Sequence, residues 1–206
     1  MKTRVGNIIL WSGALMLLAG NPRAGADGVA VGQPAPDFTL TDTRDHTWSL
    51  AEFKGRFIVL EWFNPECPFT LKHYRSGNMP RLQTRATQHG VIWLSIDSSA
   101  PGKQGAVSPQ QANAFMQQHG AAPSHVFLDP TGTVGKLYGA KTTPHLFLID
   151  PKGMVIYNGA IDDRPSANPA DVVGANNYVQ QALDEAMAGQ PVSTPTTPPY
   201  GCSVKY

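Results

Sequence analysis

The alternation of apolar and amphipathic segments constrains the fold of this 206-residue chain more than any other feature. Apolar runs rich in β-branched and aromatic residues predict strands at 38–41, 57–63, 91–97, 125–129, 145–150 and 154–157. Helical patterns lie at 69–89 (one helix or two short ones), 108–118, 134–138 and 176–188. The last two strands are joined by a short turn, which favours an antiparallel hairpin. The order predicts an α/β fold with a central mixed sheet and helices on both faces.

The first 26 residues have the composition of a secretory signal. Lys2 and Arg4 form a short basic region, residues 8–19 are apolar, and residues 24–26 form a small-residue cleavage site. We therefore predict cleavage after Ala26 and an exported product, periplasmic or otherwise secreted. The alternative, a retained membrane anchor, is disfavoured because the apolar stretch is shorter than the ~20 residues that a span needs. No membrane span is expected after signal removal.

The rest of the chain is expected to form one domain, residues 27–188, followed by a tail, residues 189–206. A hydrophobic fraction of 41% with 15% charged residues is typical of a globular protein with a sizeable core. The signal contains basic residues and no acidic ones, so its removal leaves a slightly negative formal charge. No basic run remains, which argues against nucleic acid and anionic membranes as partners.

Cys67 stands where a predicted strand passes into an amphipathic segment. Pro68 follows it at a position that suits the first turn of a helix, where the missing N–H of proline is not needed. A thiol at a helix start faces unpaired N–H groups and the positive end of the helix dipole, and both favour the thiolate. We therefore expect a reactive thiol that is open to solvent. Glu66 opposes ionisation, and Lys72 or His73 would offset it if the helix turns them toward the sulfur.

The tail carries the second cysteine, Cys202. Its prolines, at 191, 195, 198 and 199 among Thr and Ser, predict a stiff, extended connector rather than packed structure. At ~3 Å per residue, the stretch from Gly189 to Cys202 reaches roughly 35 Å, enough to return to the face that carries Cys67. In an oxidising compartment we expect the two thiols to meet each other, a partner or a substrate. A structural disulfide, an inert buried Cys67 and a tail thiol that pairs with any available partner are the alternatives.

Several segments resemble a known superfamily. The order of elements, with a Cys-Pro at a helix start and Thr142-Thr143-Pro144 before a late strand, resembles the thioredoxin fold. The opening Gly32-Gln33-Pro34-Ala35-Pro36-Asp37-Phe38 is similar to that of redoxins, the AhpC/TSA superfamily. Three further motifs resemble a peroxiredoxin-like subgroup of exported thioredoxin-family proteins: Asn64-Pro65-Glu66-Cys67-Pro68-Phe69, Gly159-Ala160-Ile161-Asp162-Asp163 and Pro199-Tyr200-Gly201-Cys202-Ser203-Val204-Lys205. The resemblance implies a thioredoxin-like redoxin domain over residues 27–188.

The resemblance also implies roles for individual residues. It makes Cys67 the redox thiol and Pro144 a cis-proline beside it. The substrate groove would be lined by Asn64, Pro68, Thr70, Thr143 and Pro144.

Two departures from the family pattern bear on the chemistry. Thr70 stands where thioredoxins and disulfide reductases carry the second cysteine of Cys-x-x-Cys, so no local disulfide can close. Leu60 and Asn64 stand where peroxiredoxins carry the proline and threonine of Pro-x-x-x-Thr-x-x-Cys. The hydroxyl that would orient a peroxide is therefore missing, and the amide of Asn64 would have to form the hydrogen bond in its place.

Residues and resemblance together predict an exported thiol oxidoreductase with antioxidant or disulfide-exchange activity. Cys67 would attack a peroxide or a protein disulfide, Cys202 would act as the resolving thiol, and an unidentified thiol reductant would restore the pair. No cofactor and no metal are expected, because the histidines show no tight paired spacing. The alternatives are a non-catalytic copper-binding module, with His73 or His145 beside the thiols, and a disulfide-stapled interaction domain.

Overall fold

The structure, a computed structural model, describes residues 28–206. The predicted signal peptide and its cleavage site lie outside the described residues. The strands are β1 Thr39–Thr41, β2 Thr47–Ser49, β3 Ile58–Trp62, β4 Ile92–Asp97, β5 His125–Leu128, β6 Thr142–Thr143, β7 His145–Ile149, β8 Val155–Gly159 and β9 Cys202–Ser203. The α-helices are α1 Pro68–Arg75, α2 Asn78–Gln88, α3 Pro109–Gln118, α4 Thr133–Tyr138 and α5 Tyr178–Met187; 3-10 turns span Leu50–Phe53 and Pro169–Val172. No helix within this range combines the length and apolar character that crossing a membrane requires.

Five strands form the central sheet in the order β5-β4-β3-β7-β8. β3 pairs in parallel with β4, and β4 in parallel with β5, whereas β7 runs antiparallel to both β3 and β8. The predicted mixed sheet and the antiparallel hairpin of its last two strands are therefore confirmed. β3 is the central strand, so the segment that leaves it toward Cys67 starts from the middle of the sheet.

Helices cover both faces of the sheet, as predicted. Successive residues of β3 point to opposite faces. Val59 therefore packs in one apolar cluster with Met79 of α2 and Leu183 of α5. Trp62 packs in a second cluster on the other face, with Tyr138 of α4 and the first 3-10 turn. The end of β3 is thus fixed from both sides, which makes it a rigid base for the residues that follow.

Three short elements have no counterpart in the sequence prediction: β6, β9 and the 3-10 turn Pro169–Val172. β6 and β9 contain two residues each, too few for an alternating pattern to show. They pair antiparallel with each other, Thr142 opposite Ser203 and Thr143 opposite Cys202. The segment 69–89 forms two helices, α1 and α2, which meet at Gly77 in a left-handed conformation.

The tail is packed against the domain, so the prediction of an unpacked connector is wrong. The hydroxyl of Thr197 is buried, accepts from the N–H of Ala160 at 2.9 Å and lies 2.7 Å from the hydroxyl of Tyr157. The N–H of Asn158 donates to the carbonyl of Pro195 at 3.0 Å, and the N–H of Thr197 donates back to Asn158 at 3.2 Å. Polar residues between the prolines thus supply the groups that bind the tail to β8.

The last residues of the chain continue past β9 along the domain. The N–H of Val204 donates to the carbonyl of Lys141 at 3.1 Å, and the hydroxyl of Tyr206 donates to the carbonyl of Ala140 at 2.8 Å. The tail therefore returns to the face that carries Cys67, which confirms the predicted reach.

Candidate active site

Cys67 is positioned by the end of β3 and the start of α1. Its N–H donates to the carbonyl of Asn64 at 3.1 Å, and Cys67 is the N-cap residue of α1, with Pro68 at the first helical position. The sulfur forms no capping hydrogen bond with the N–H groups of the first turn of α1. The side chain has 0% exposure, so the expectation of a thiol open to solvent is wrong.

β9 brings Cys202 to Cys67 and helps to cover it. Cys202 lies directly opposite Thr143 in the β6–β9 pair, and the carbonyl oxygen of Thr143 is 3.0 Å from Sγ of Cys67. The peptide bond between Thr143 and Pro144 is cis, as the resemblance implied. Both cysteines are free, and Cys202 keeps partial exposure. The two thiols are therefore neighbours in the reduced protein.

The pKa values of the two thiols are shifted in opposite directions. Burial raises the pKa of Cys67, but the neighbouring polar groups of Cys202, Thr143 and Thr70 outweigh this effect, so that the pKa is lowered. Burial, together with the hydrogen bond to Cys67 and the charge of Cys67, raises the pKa of Cys202 to about 11. The arrangement therefore favours a thiolate at Cys67 and keeps the proton on Cys202.

Gly201 permits the close approach of the tail to β6. Its φ of 141° lies in the region that favours glycine. A Cβ at this position would lie 2.1 Å from the carbonyl oxygen of Thr143 and 2.8 Å from its carbonyl carbon. Any side chain here would push β9 away from β6, so Gly201 determines how near Cys202 comes to Cys67.

The predicted groove residues differ in exposure. Pro68 is exposed, whereas the others are buried: Asn64, Thr70, Thr143 and Pro144. The side-chain amide of Asn64 donates to the carbonyl of Gln104 at 3.0 Å, and its Oδ1 accepts from the N–H of Glu66 at 2.8 Å. The amide of Asn64 thus holds the loop after β4, and its role in a substrate groove stays a prediction.

A largely buried polar cluster near the cysteines was missed by the sequence reasoning. We call it the anchor cluster; its members are Lys72, His73, Asp162 and Tyr200. The hydroxyl of Tyr200 donates to Oδ1 of Asp162. Nζ of Lys72 lies 3.2 Å from this hydroxyl and 3.6 Å from Oδ2 of Asp162. Nε2 of His73 lies 3.0 Å from the same hydroxyl.

Lys72 and His73 contact other members of the anchor cluster rather than Cys67. Nζ of Lys72 donates to the carbonyl of Arg164 at 2.5 Å and to Tyr200, so the condition under which Lys72 or His73 would offset Glu66 is not met. Burial and the charge of Lys72 lower the pKa of His73 to about 3, which keeps its ring neutral. The available signal was the co-occurrence of two motifs in the resemblance, since Gly159–Asp163 contains Asp162 and Pro199–Lys205 contains Tyr200.

A second buried carboxylate, Glu61, lies on β3. Its Oε1 accepts from the hydroxyl of Tyr74 at 2.8 Å. Its Oε2 accepts from Gln83 at 3.0 Å, and from Trp93 and Ser95 at 2.8 Å each. Burial raises the pKa of Glu61. The donors come from α1, α2 and β4, so Glu61 ties the central strand to three neighbouring elements.

The histidines named in the copper alternative are engaged in other contacts. Nε2 of His145 lies 2.8 Å from Oδ1 of Asn158, and its Nδ1 accepts from the N–H of Lys141 at 3.1 Å. His73 is held in the anchor cluster. Across residues 28–206, no group of three or more His, Cys, Asp or Glu side chains is placed to hold a metal ion.

The sheet order, the cysteine at the start of α1 and the cis-proline strand opposite it define a thioredoxin-like domain, and solved structures confirm this fold class. A structure of an uncharacterised conserved protein of Geobacillus kaustophilus is 26% identical with a TM-score of 0.76, and the match covers 91% of this chain and 97% of that one. A Chlorobium tepidum protein described as a thiol:disulfide interchange protein DsbE is 25% identical with a TM-score of 0.52, and the match covers 64% and 85% of the two chains.

The chain belongs to the AhpC/TSA family, whose model matches residues 31–158. The matched range contains Cys67 and Pro144 but not Cys202. A curated relative, the thiol-disulfide oxidoreductase ResA of Bacillus subtilis, is 25% identical over 140 residues, 65% of this chain and 69% of the relative. The predicted superfamily and the predicted enzyme class, a thiol oxidoreductase, are confirmed.

Proposed function

We propose that this chain is an exported thiol-disulfide oxidoreductase in which Cys67 attacks and Cys202 resolves. The observation that carries the proposal is the pairing of β9 with β6, which sets Cys202 beside Cys67 and shifts their pKa values in opposite directions. A chain without Cys-x-x-Cys thereby obtains a dithiol pair from two distant segments. The names of the relatives, ResA and DsbE, support disulfides as the substrate class.

In the first step, the Cys67 thiolate attacks one sulfur of a substrate disulfide. A bond forms between Sγ of Cys67 and that sulfur, the substrate S–S bond breaks, and the other substrate sulfur leaves as a thiolate. The lowered pKa of Cys67 increases the fraction of nucleophilic thiolate relative to an ordinary cysteine.

In the second step, Cys202 gives its proton to the departed substrate thiolate and attacks Sγ of Cys67. The mixed disulfide breaks, the remaining substrate sulfur leaves as a thiolate, and a Cys67–Cys202 disulfide forms. The order is enforced by charge: the Cys67 thiolate raises the pKa of Cys202, and this effect disappears once Cys67 is bound in the mixed disulfide. The substrate gains two electrons, the protein loses two, and an external dithiol reductant returns them.

Access to Cys67 requires a local opening. Because Cys67 has 0% exposure, a disulfide can reach its sulfur only after β9 has separated from β6. The β6–β9 ladder contains two residues on each strand, so this opening costs far less than unfolding the domain.

A disulfide is a better substrate for this site than a peroxide because of Asn64. This residue occupies the place of the peroxide-orienting threonine, but its amide group donates to the carbonyl of Gln104 and lies 3.4 Å from the hydroxyl of Ser99. Both amide hydrogens are therefore directed to the loop after β4, and neither is free to orient a peroxide at Cys67.

Export is supported by the composition of residues 1–26. When the full chain is produced in a bacterium, we expect the periplasmic product to begin at Asp27. Retention of an uncleaved chain in the cytoplasm would contradict this part of the proposal without affecting the thiol chemistry.

Oxidised glutathione tests the roles of the two cysteines. We expect the reduced wild-type protein to form a Cys67–Cys202 disulfide, seen by mass spectrometry, and to release two glutathione molecules. Cys202→Ser should stop at a glutathione adduct on Cys67, and Cys67→Ser should form neither product at a comparable rate. An adduct on Cys202 that forms equally fast without Cys67 would reverse the roles, and a wild type that reacts far faster with hydrogen peroxide would overturn the disulfide assignment.

A further inference from the structure

The anchor cluster holds the tail close to the cysteine that the tail delivers. Only Gly201 separates Tyr200 from Cys202. The hydroxyl of Tyr200 contacts three side chains of the domain: it donates to Asp162 and lies within 3.2 Å of the nitrogens of Lys72 and His73. Nζ of Lys72 also lies 5.3 Å from the centre of the Tyr200 ring, a cation–π distance.

The hydrogen bonds of this cluster are mutually consistent. The hydroxyl of Tyr200 has one proton, which goes to Asp162, so the neutral His73 must donate from Nε2. Nδ1 of His73 then accepts from the side-chain amide of Asn78 at 2.9 Å, as this tautomer requires. Tyr200 is therefore a donor once and an acceptor twice, a set of contacts that no apolar ring of the same size can replace.

The anchor lies on the same helix as the attacking thiol. Cys67 is the N-cap of α1, and Lys72 and His73 are fully buried residues of that helix. A tail fixed to Lys72 and His73 is therefore fixed relative to Cys67 by a rigid element. On the other side of Cys202, the two-residue strand β9 and the hydrogen bonds of Val204 and Tyr206 hold the end of the tail to the domain.

We propose that Tyr200 is a positioning residue for the resolving thiol: bound by Asp162, Lys72 and His73, it holds Cys202 against Cys67. The inference rests on the proposed function and deepens it, because it assigns a role to the Gly159–Asp163 and Pro199–Lys205 motifs that the chemistry of the two sulfurs leaves unused. Tyr200 touches neither the sulfurs nor the substrate in this role.

The anchor restricts the movement of the tail, and this restriction determines how much the loss of Tyr200 should slow closure of the Cys67–Cys202 disulfide. A flexible tail presents its thiol at an effective concentration in the millimolar range. A tail fixed in the reacting geometry presents it at a higher one, because the orientation is set before the reaction. Removing the hydroxyl of Tyr200 takes away a hydrogen bond to a carboxylate, and we expect closure of the Cys67–Cys202 disulfide to slow by roughly 10-fold.

Dithionitrobenzoate, a chromogenic aromatic disulfide, separates the two steps in the intact protein. Attack on the reagent releases one coloured thiolate, and closure of the internal disulfide releases a second. In Tyr200→Phe we expect the first release to be as fast as in the wild type or faster, and the second to be roughly 10-fold slower. Tyr206→Phe is the matched control: this tail tyrosine lies beyond Cys202 and donates to the carbonyl of Ala140, so both releases should keep wild-type rates.

Gly201→Ala provides a second variant that leaves the anchor cluster unchanged. Its Cβ would meet the carbonyl oxygen of Thr143 and move Cys202 away from Cys67. Slow closure is again expected, and thermal unfolding at the wild-type temperature would show that the domain is intact. This variant keeps the test decisive should Tyr200→Phe fail to fold.

The outcomes separate this inference from the proposed function. A wild-type protein that releases a single thiolate and forms no internal disulfide would overturn the resolving role of Cys202, whatever the variants do. A wild type that closes rapidly, together with folded Tyr200→Phe and Gly201→Ala variants that close at the same rate, would overturn the positioning role alone. Slow closure in both variants, with normal closure in Tyr206→Phe, supports it.

Discussion

The body of the molecule, residues 28–188, and the tail, residues 189–206, are held in different ways. The body is built on two apolar clusters, and its central carboxylate, Glu61, accepts hydrogen bonds from body residues alone. The tail is held mainly by hydrogen bonds to the body, and its side-chain contacts include those of Thr197 at β8 and Tyr200 at the anchor cluster. Each region carries one cysteine.

The difference shows how one chain can combine a fixed thiol with a movable one. Cys67 lies in the region where opening costs nearly the full free energy of unfolding, whereas Cys202 lies in a region that can open locally. A Cys-x-x-Cys pair has both sulfurs on one helix and lacks this separation. Five predictions test how independent the two regions are.

The largest effect is expected from Glu61→Ala, which damages the body. The change leaves the donors from Tyr74, Gln83, Trp93 and Ser95 buried without their acceptor. We expect the free energy of unfolding to fall by about 3–5 kcal/mol, measured by urea denaturation. Glu61→Gln is the control and should cost less, because it keeps one acceptor oxygen. A loss below about 1 kcal/mol in Glu61→Ala would show that the body does not depend on this group.

Thr197→Val should loosen the tail while leaving the body folded. The change removes the acceptor for the N–H of Ala160 and the partner of the Tyr157 hydroxyl at nearly constant volume. We expect faster hydrogen exchange in the tail, by an amount equivalent to about 1–2 kcal/mol, with little change in body amides. Thr196→Val, at the exposed neighbouring residue, is the control. Equal loss of protection in tail and body would mean that the two regions unfold together.

The pH dependence of stability that Cys67 causes reports on the contact between the body and the tail. Because its pKa in the folded protein is lowered from 9.0, the unfolded chain binds more protons between the lowered value and 9.0. The stability of the reduced protein should therefore rise with pH across this window and be lost as the pH falls through the folded pKa. Cys67→Ser should remove the slope.

Cys202→Ala tests directly whether Cys202 lowers the pKa of Cys67. It removes a side chain that donates to the thiolate, so the pKa of Cys67 should rise, as read from ultraviolet thiolate absorbance. The reverse variant, Cys67→Ala, should bring the pKa of Cys202 down from about 11. Unchanged titration of each cysteine without the other would show that the sulfurs do not interact.

The smallest effect is expected from Arg85→Ala on the surface of the body. Arg85 of α2 forms an ion pair with Asp184 of α5 at 2.9 Å, and both side chains are about half exposed. Solvent screening limits such pairs, and we expect a loss below about 1 kcal/mol in urea denaturation. A larger loss would mean that surface pairs, and not only buried groups, hold the body together.

Patterns within a single segment predicted most of the body. The apolar runs that became β3, β4, β5 and β7 are long enough to be identified without partners, because buried strands need apolar residues on both faces. The place of Cys67 was predictable for the same reason, since the strand before it and Pro68 after it are local signals.

The tail and the anchor cluster depend on contacts between distant residues. Tyr200 pairs with Asp162 and Lys72, and nothing in a segment containing any one of them indicates the others. Prolines made the tail resemble a free connector, although prolines only restrict the backbone and leave Thr197 free to bond. The burial of Cys67 also escaped prediction, because Cys202, which helps to cover it, lies at the far end of the chain.

The complete burial of Cys67 has a kinetic consequence. A reagent in excess can react with Cys67 no faster than the rate at which the sulfur becomes exposed. The rate of alkylation should therefore level off at high reagent concentration. The limiting rate should be the same for different electrophiles. Cys67 thus keeps its lowered pKa but meets reagents only while its sulfur is uncovered. The same shielding protects it from successive oxygen additions that would end its activity permanently.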